Sequence, residues 1–208
     1  MNRTTIAAVV VAGALAGVAA AVVFMRAQPA PPALERATLF EAARPLPAIA
    51  LQDQSERAFD LARMRGHWTL LFFGFTNCPD VCPTTLATLA ETRRQLADLP
   101  PEEIPEVVLV TVDPARDTPA ILARYVAHFD PSFTGITGSP EAIGAFTRDL
   151  GVAVMIGAPA ADGSYTVDHS AAVFLIDPDA AYAGLFGAPH DAGTIARDYR
   201  RIVAARAR

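Results

Sequence analysis

A continuous apolar run from Trp68 to Phe73 constrains the fold of this 208-residue chain more than any other stretch. Such a run, without alternating polar residues, is typical of a β-strand that is buried on both faces. Val107 to Val112 and Val173 to Ile176 repeat the pattern, and stretches with helical apolar periodicity lie between them. This order predicts an α/β fold in which helices cover both faces of a sheet.

Start signals indicate where the helices begin. Pro83 suits the first helical position, which would place Cys82 near the N-cap. A strand that leads straight into a cysteine-bearing helix is the thioredoxin-like arrangement. A late hairpin, pairing 152–156 with 165–167 around the turn Asp162-Gly163, is expected to make the central sheet mixed. Two further helices are predicted where a hydroxyl-bearing residue precedes a proline, at Thr118-Pro119 and Ser139-Pro140.

The N-terminal part of the chain is predicted to lie outside the folded domain. Ile6 to Met25 carries no charge, and as a helix rising about 1.5 Å per residue it would span roughly 30 Å, the thickness of a bilayer core. The run exceeds the apolar region of a usual secretory signal, and no good cleavage site follows it. We therefore expect a single transmembrane helix as membrane anchor over 1–27, a Pro/Ala-rich tether over 28–45 and a folded domain over 46–205.

The two cysteines of the chain, Cys78 and Cys82, lie four positions apart at a predicted helix start. This spacing brings both sulfurs to one side, close enough for a disulfide or a shared metal ion. The positive end of a helix favours the thiolate, which attacks disulfides and ligates metals. A purely structural disulfide would close a very small loop and stabilise the fold by less than the roughly 3 kcal/mol of a fifteen-residue loop. Thioredoxin-type enzymes have two residues between their cysteines, and the three found here suit a metal better.

A metal site would need a third donor, and the chain has four histidines. His169 is the best placed, because it comes just before the predicted strand Val173 to Ile176. In a thioredoxin-like sheet, the loop that enters this strand faces the cysteine loop. Thioredoxins have a cis-proline there, whereas this chain has Ser170-Ala171-Ala172 and no proline to shield the sulfurs. Two thiolates and one imidazole suit Cu(I), could retain Cu(II) with an added ligand, and could also bind zinc with an open fourth position.

These motifs resemble those of the SCO/SenC family, copper-binding proteins with a thioredoxin fold that assist the assembly of cytochrome c oxidase. The resemblance spans roughly Pro45 to Val203. The CPDVCP block with a distant DHS is highly specific, whereas TVDPxRDTP alone is moderately so. The matching stretches occur in the family's order: GFTNCPDVCP at 74–83, VTVDPARDTP at 110–119, FTGITG at 133–138, YTVDHS at 165–170 and FLID at 174–177.

The resemblance implies a metallochaperone rather than an enzyme, with Cys78, Cys82 and His169 as copper ligands. Copper would come from a periplasmic donor and go to the binuclear copper centre of cytochrome c oxidase subunit II. Oxidation of the cysteines to a disulfide would release the copper. Bacterial members are tethered to the inner membrane with the domain in the periplasm, which we expect here too. The net charge of −5 argues against a nucleic-acid partner.

A second function remains open, that of a thiol–disulfide oxidoreductase. It would reduce the copper-site cysteines of subunit II and would itself be reduced by a periplasmic thiol reductant. A peroxiredoxin is disfavoured, because Pro79 stands where that class has a threonine.

Three aspartates are candidates for supporting the ligands. Asp113 and Asp117 follow the second buried strand, where they could hold a loop or tune the protonation of the ligands. The alternative is that they form a turn and cap the next helix; for Asp117 the two roles are equally supported, whereas Asp113, next to Pro114, better fits the role of supporting the ligands. Asp168 could orient its neighbour His169.

Overall fold

The computed structural model describes residues 33–161 and 164–206, together with 2, 13–18 and 21. Most of the predicted anchor, 1–27, and the predicted turn Asp162-Gly163 lie outside the described residues. Residues 13–18 are helical. Within the part of the chain that the structure describes, no helix has both the length and the apolar character needed to cross a membrane.

The chain from Leu34 onward forms a compact unit built around a sheet. The described strands are β1 Ala37–Pro45, β2 Leu51–Asp53, β3 Ala58–Phe59, β4 Thr69–Gly74, β5 Glu106–Thr111, β6 Thr134–Thr137, β7 Val154–Ile156, β8 Val167–His169, β9 Val173–Ile176 and β10 Ala181–Phe186. Eight of them form one sheet in the order β1-β10-β9-β4-β5-β6-β2-β3. Strands β4, β5 and β6 run parallel, whereas β9 and β10 pair antiparallel, so the sheet is mixed as predicted.

Four α-helices are described in this unit: α1 Val81–Gln95, α2 Pro119–Phe129, α3 Pro140–Asp149 and α4 Ala192–Arg206. Short 3-10 helices cover Leu61–Met64 and Pro101–Glu103. The predicted starts of α2 and α3 are confirmed, because Thr118 and Ser139 accept hydrogen bonds from the N–H groups of Ile121 and Ala142. All six residues of β4 are buried, as expected for a strand covered on both faces.

The start predicted for α1 is wrong by two residues. The helix begins at Val81 with Asp80 as N-cap, so Cys82 lies inside the first turn instead of at the cap. The N–H of Thr84 donates to the carbonyl of Asp80 at 3.2 Å and closes this turn. Pro83 is tolerated at the third helical position, since the first N–H groups of a helix have no partner within it.

The predicted boundary between tether and domain at residue 46 is also wrong. Strand β1 lies within the segment 28–45 and pairs antiparallel with β10. The carboxylate of Asp198 on α4, which is fully buried, accepts hydrogen bonds from the backbone N–H groups of Glu35, Arg36 and Ala37 at 2.8–3.0 Å. These contacts attach the chain to the domain just before β1 begins.

The late hairpin does not join the central sheet, contrary to the sequence-based expectation. Strands β7 and β8 form a separate two-stranded sheet in which Val154 is opposite His169. The main sheet is mixed instead because antiparallel pairings flank its parallel centre: β9 with β4 and β10, and β10 with β1, on one side, and β2 with β6 and β3 on the other. Among the described strands, β8, which ends at His169, therefore forms no backbone pairing with β4.

Candidate metal centre

The cysteine loop connects the buried end of β4 to the start of α1. Cys78 is partly exposed, whereas Cys82 is completely buried, and both are free thiols. The N–H of Cys82 lies 3.4 Å from the sulfur of Cys78. Gly74 makes room for the buried sulfur, since a Cβ at this position would lie 3.1 Å from Sγ of Cys82. The glycine at the end of β4 thus allows Cys82 to pack directly against the central strand.

His169 reaches the cysteines from the end of β8. Its Nε2 lies 3.4 Å from Sγ of Cys82, and its Nδ1 lies 3.0 Å from the carbonyl oxygen of Ser170. A proton on Nδ1 would donate to this carbonyl and leave a lone pair on Nε2 that faces the sulfur. The rings of Phe72 and Phe75 make edge contacts with the imidazole, each at 5.9 Å between centroids.

The structure brings the three predicted donors together. One ligand atom from each of Cys78, Cys82 and His169 lies within 4.8 Å of the others. The cluster borders a cavity of about 250 Å³, which is also lined by Asp80 and Asp168. An incoming ion or partner would meet the cluster through this cavity.

Burial controls the protonation of the cluster. Burial raises the pKa of the Cys82 thiol well above its usual range, although the Phe75 N–H opposes the shift. At Cys82 burial outweighs the preference for the thiolate that a helix start provides. A helix terminus contributes at most about 2 kcal/mol, or about 1.5 pKa units, whereas full burial shifts a pKa by up to about 3–5 units. Burial also lowers the pKa of His169, although the hydrogen bond to the Ser170 carbonyl and the charge of Asp168 oppose this shift. The imidazole is therefore neutral at pH 7.

Asp117 holds the cysteine loop in place. Its carboxylate is fully buried and accepts hydrogen bonds from the N–H of Thr76 at 3.1 Å, from the Thr76 hydroxyl at 2.5 Å and from the Thr111 hydroxyl at 2.6 Å. Thr76 lies two positions before Cys78, and Thr111 ends β5. These hydrogen bonds connect the cysteine loop to the end of β5 through Asp117.

Asp113 is also buried, but it holds a different part of the site. Its carboxylate pairs with the guanidinium of Arg116 and accepts a hydrogen bond from the Tyr165 hydroxyl at 2.7 Å. The Arg116 guanidinium in turn lies over the Tyr165 ring at 3.7 Å. These contacts reach the chain just before β8. Asp168, by contrast, is exposed, and the hydrogen-bond partner of His169 Nδ1 is the carbonyl oxygen of Ser170.

Several residues of the site carried no clear sequence signal. Arg116 was visible only as part of the TVDPxRDTP stretch, and Tyr165 only as the start of YTVDHS. His190, which lies in the loop before α4, has its Nε2 2.7 Å from the carbonyl oxygen of Ala171 and so fixes the segment opposite the cysteines. The contacts of Arg116 with Tyr165, of Tyr165 with Asp113 and of His190 with Ala171 join residues 19 to 52 positions apart, so the local pattern could not reveal them.

The fold and the site together define a thioredoxin-like protein with a cluster of two thiols and one imidazole. The sequence profile of the SCO1/SenC family matches residues 42–204, and the chain belongs to this family. The mitochondrial Protein SCO2 homolog of Mus musculus is 38% identical over 144 residues, which cover 69% of this chain and 56% of that protein. The chain therefore spans little more than half the length of this mouse relative.

Two solved structures of copper-bound proteins resemble the structure closely. ScoI of Arabidopsis thaliana, with copper bound, is 31% identical with a TM-score of 0.70. ScoI of Bradyrhizobium japonicum, with copper bound, is 34% identical with a TM-score of 0.68. Each match covers 76% of this chain and 98% of the other chain.

Proposed function

We propose that this protein binds copper through Cys78, Cys82 and His169 and supports assembly of the binuclear copper centre of cytochrome c oxidase. The observation that carries the proposal is the approach of the three donor atoms to within 4.8 Å of one another. Two similar proteins have been solved with copper bound, which favours copper over the zinc that the donor set also allows. The role in oxidase assembly follows from the family resemblance.

The residues present fit copper by their chemistry. Thiolate sulfur and imidazole nitrogen are preferred donors for Cu(I), and a further ligand would complete a Cu(II) site. The neutral His169 is ready to bind, because burial lowers its pKa. Cys82 must lose its proton when the ion binds, so binding releases protons and weakens as the pH falls.

The unequal exposure of the donors supports an order of transfer. Cys78 and His169 line the cavity beside the site, whereas Cys82 is completely buried. A donor atom from a partner protein could replace Cys78 or His169 first, while Cys82 would be the last to leave. This order keeps the ion bound to at least one sulfur of this chain until the partner holds it.

The proposed partners are cytochrome c oxidase subunit II as acceptor and a periplasmic copper donor. We propose that residues 1–27 anchor the protein in a bacterial inner membrane and that the domain lies in the periplasm. Long apolar runs of this kind support an anchor.

Membrane fractionation tests the anchor: the full chain should stay with the membrane after washing at high pH, and a chain lacking 1–27 should not. Release of the full chain by the wash would contradict anchoring.

Thiol–disulfide exchange is the second candidate function. Two free thiols whose sulfurs lie within 4.8 Å of each other favour it. In this reaction Cys78 and Cys82 would be oxidised to a disulfide, and a disulfide of subunit II would be reduced to two thiols with transfer of two electrons and two protons. The raised pKa of Cys82 makes its thiol a weak nucleophile at pH 7, so attack would start from the more exposed Cys78.

A titration of the reduced full chain in detergent with Cu(II) tests the ligand set. We expect a strong absorption band from thiolate-to-copper charge transfer, weakened together with Cu(II) affinity in His169→Ala. His128→Ala is the matched control, since His128 is an exposed imidazole on α2 outside the cluster. An unchanged Cu(II) affinity in His169→Ala would rule out this ligand set. Cys78→Ser and Cys82→Ser should lose Cu(I) to a chromogenic chelator.

Mixing experiments with the soluble copper-binding domain of subunit II separate the two functions. Delivery predicts that copper-loaded protein metallates a subunit II whose cysteines are already reduced. Reduction predicts instead that metal-free protein opens the subunit II disulfide and accumulates its own. Failure of both reactions, with copper bound as expected, would reject the oxidase role and leave only copper binding.

A further inference from the structure

The hairpin formed by β7 and β8, which carries His169, is not part of the central sheet. Strands β7 and β8 pair with each other in a separate two-stranded sheet. The cysteines, by contrast, follow directly from β4 at the centre of the main sheet. His169 Nε2 thus lies 3.4 Å from Cys82 Sγ, although in the described chain no backbone pairing connects the hairpin to the main sheet.

Three side chains connect the hairpin to the main body, and we call Asp113, Arg116 and Tyr165 the hairpin clasp. The Tyr165 hydroxyl donates to Asp113 at 2.7 Å, and Arg116 pairs with the same carboxylate. The Arg116 guanidinium lies 3.7 Å from the centre of the Tyr165 ring, and its Nη1 lies 3.4 Å from the Tyr165 carbonyl oxygen. Arg116 thus contacts both the ring and the backbone of Tyr165, two residues before β8 begins.

The segment that holds the clasp also holds the cysteine loop. Asp113 is fixed by its N–H, which donates to the Thr111 hydroxyl at 2.9 Å. The N–H of Asp117 donates to the carbonyl of Asp113 at 3.0 Å, and the Asp117 carboxylate binds Thr76 near the cysteines. Residues 113–117 therefore contact the cysteine side through Asp117 and the histidine side through Arg116.

We propose that Arg116 and Tyr165 are positioning residues, which set the distance between His169 and the cysteine sulfurs by holding the hairpin against segment 113–117. The proposal rests on the copper site proposed above. Neither side chain belongs to the cluster of donor atoms. Their role predicts a selective effect: a loosened clasp impairs the histidine's contribution to copper binding and leaves the two thiols in place.

The first test uses the metal-free protein. In the full chain in detergent, Arg116→Ala should raise the amide hydrogen-exchange rates of β7 and β8 about tenfold, with no change in α1 or β4. Tyr165→Phe keeps the ring under the guanidinium but loses the bond to Asp113, so a smaller rise of about threefold is expected. Arg116→Lys keeps the charge but loses the planar stack and should fall between Arg116→Ala and the unaltered chain.

Arg63→Ala is the matched control. The Arg63 guanidinium lies over the Phe59 ring at 5.6 Å, and its Nη1 lies 3.5 Å from the buried carboxylate of Asp53. Its loss removes the same kind of contact away from the site. Exchange in β7 and β8 should be the same in this variant as in the unaltered chain.

The second test uses copper and distinguishes this proposal from the proposed function. Arg116→Ala should bind Cu(II) about tenfold more weakly, while retention of Cu(I) against a chelator, which depends chiefly on the two thiols, should change less than twofold. If the unaltered chain binds no copper, the proposed function fails, and the exchange result still decides whether the clasp holds the hairpin. If the unaltered chain binds copper and Arg116→Ala shows normal exchange or normal Cu(II) affinity, the positioning role is wrong. If Arg116→Ala fails to fold, Tyr165→Phe decides by the same two measurements.

Discussion

Replacement of Asp117 should damage the cysteine loop and the stability of the domain together. Its buried carboxylate accepts hydrogen bonds from two groups of Thr76 and from the Thr111 hydroxyl. In Asp117→Ala the Thr76 N–H and the Thr111 hydroxyl lose their acceptor inside the fold. Each buried donor left unpaired costs about 1–3 kcal/mol, and removing a buried charge offsets part of this cost. We expect Asp117→Ala to lower the free energy of unfolding by about 3 kcal/mol.

Asp117→Asn keeps the shape of the side chain and changes only its hydrogen-bonding groups. The amide oxygen can take the place of Oδ2, which accepts from the Thr76 N–H and the Thr111 hydroxyl. The amide NH₂ then faces the Thr76 hydroxyl, which can rotate to accept. A single hydrogen bond changes direction, so the expected loss is about 1 kcal/mol.

Denaturant unfolding of the reduced, metal-free chain measures these losses, and competition with a chelator measures Cu(I) retention. Because Thr76 lies two positions before Cys78, both variants should release Cu(I) more readily, with Asp117→Ala the more affected. Asp60→Ala is the control, since Asp60 is an exposed aspartate that caps a short 3-10 helix. Equal stability of the unaltered chain and Asp117→Ala, within about 0.5 kcal/mol, would refute the reasoning.

Three further predictions follow from burial and packing. The pKa of His169 is lowered by burial, so below about pH 6.5 the unfolded chain takes up a proton that the folded chain does not. Stability should therefore fall as the pH drops from 7 to 5, and this fall should be smaller in His169→Gln. Gly74→Ala would place a Cβ 3.0–3.1 Å from Phe72 Cε1, Cys82 Sγ and Leu109 Cδ1, so we expect a loss of about 1–3 kcal/mol and an altered copper spectrum. Asp198→Ala removes the acceptor for three backbone N–H groups at the start of β1, which should cost about 2–3 kcal/mol and speed amide exchange in β1.

Each of these has a clear contrary result. An identical pH dependence in His169→Gln and the unaltered chain would mean that His169 is not the group responsible. Gly187→Ala is the control for Gly74→Ala, because a Cβ at Gly187 would meet nothing within 4 Å. Equal effects of the two glycine variants would contradict the packing argument. Normal exchange in β1 of Asp198→Ala would show that strand pairing alone holds this edge.

Strands and helices with strong local signals could be predicted from the sequence. The apolar runs at β4, β5 and β9 and the capped starts of α2 and α3 depend on neighbouring residues alone. Strand β1 was not predicted from the sequence, because it is a largely exposed edge strand in a stretch rich in Pro and Ala. It depends on pairing with the distant β10. The helix start at Val81 was misplaced, because proline is compatible with any of the first positions of a helix.

The chemical nature of the site was already determined by the sequence: two thiols four positions apart and one imidazole before a buried strand. Their use as copper ligands remains a prediction to be tested. Only the tertiary structure decided that Cys82 is a buried thiol with a raised pKa, that Ser170 orients the His169 ring, and that segment 113–117 contacts both halves of the site. Burial and long-range contacts depend on which elements pack together, and no local stretch of sequence contains that information.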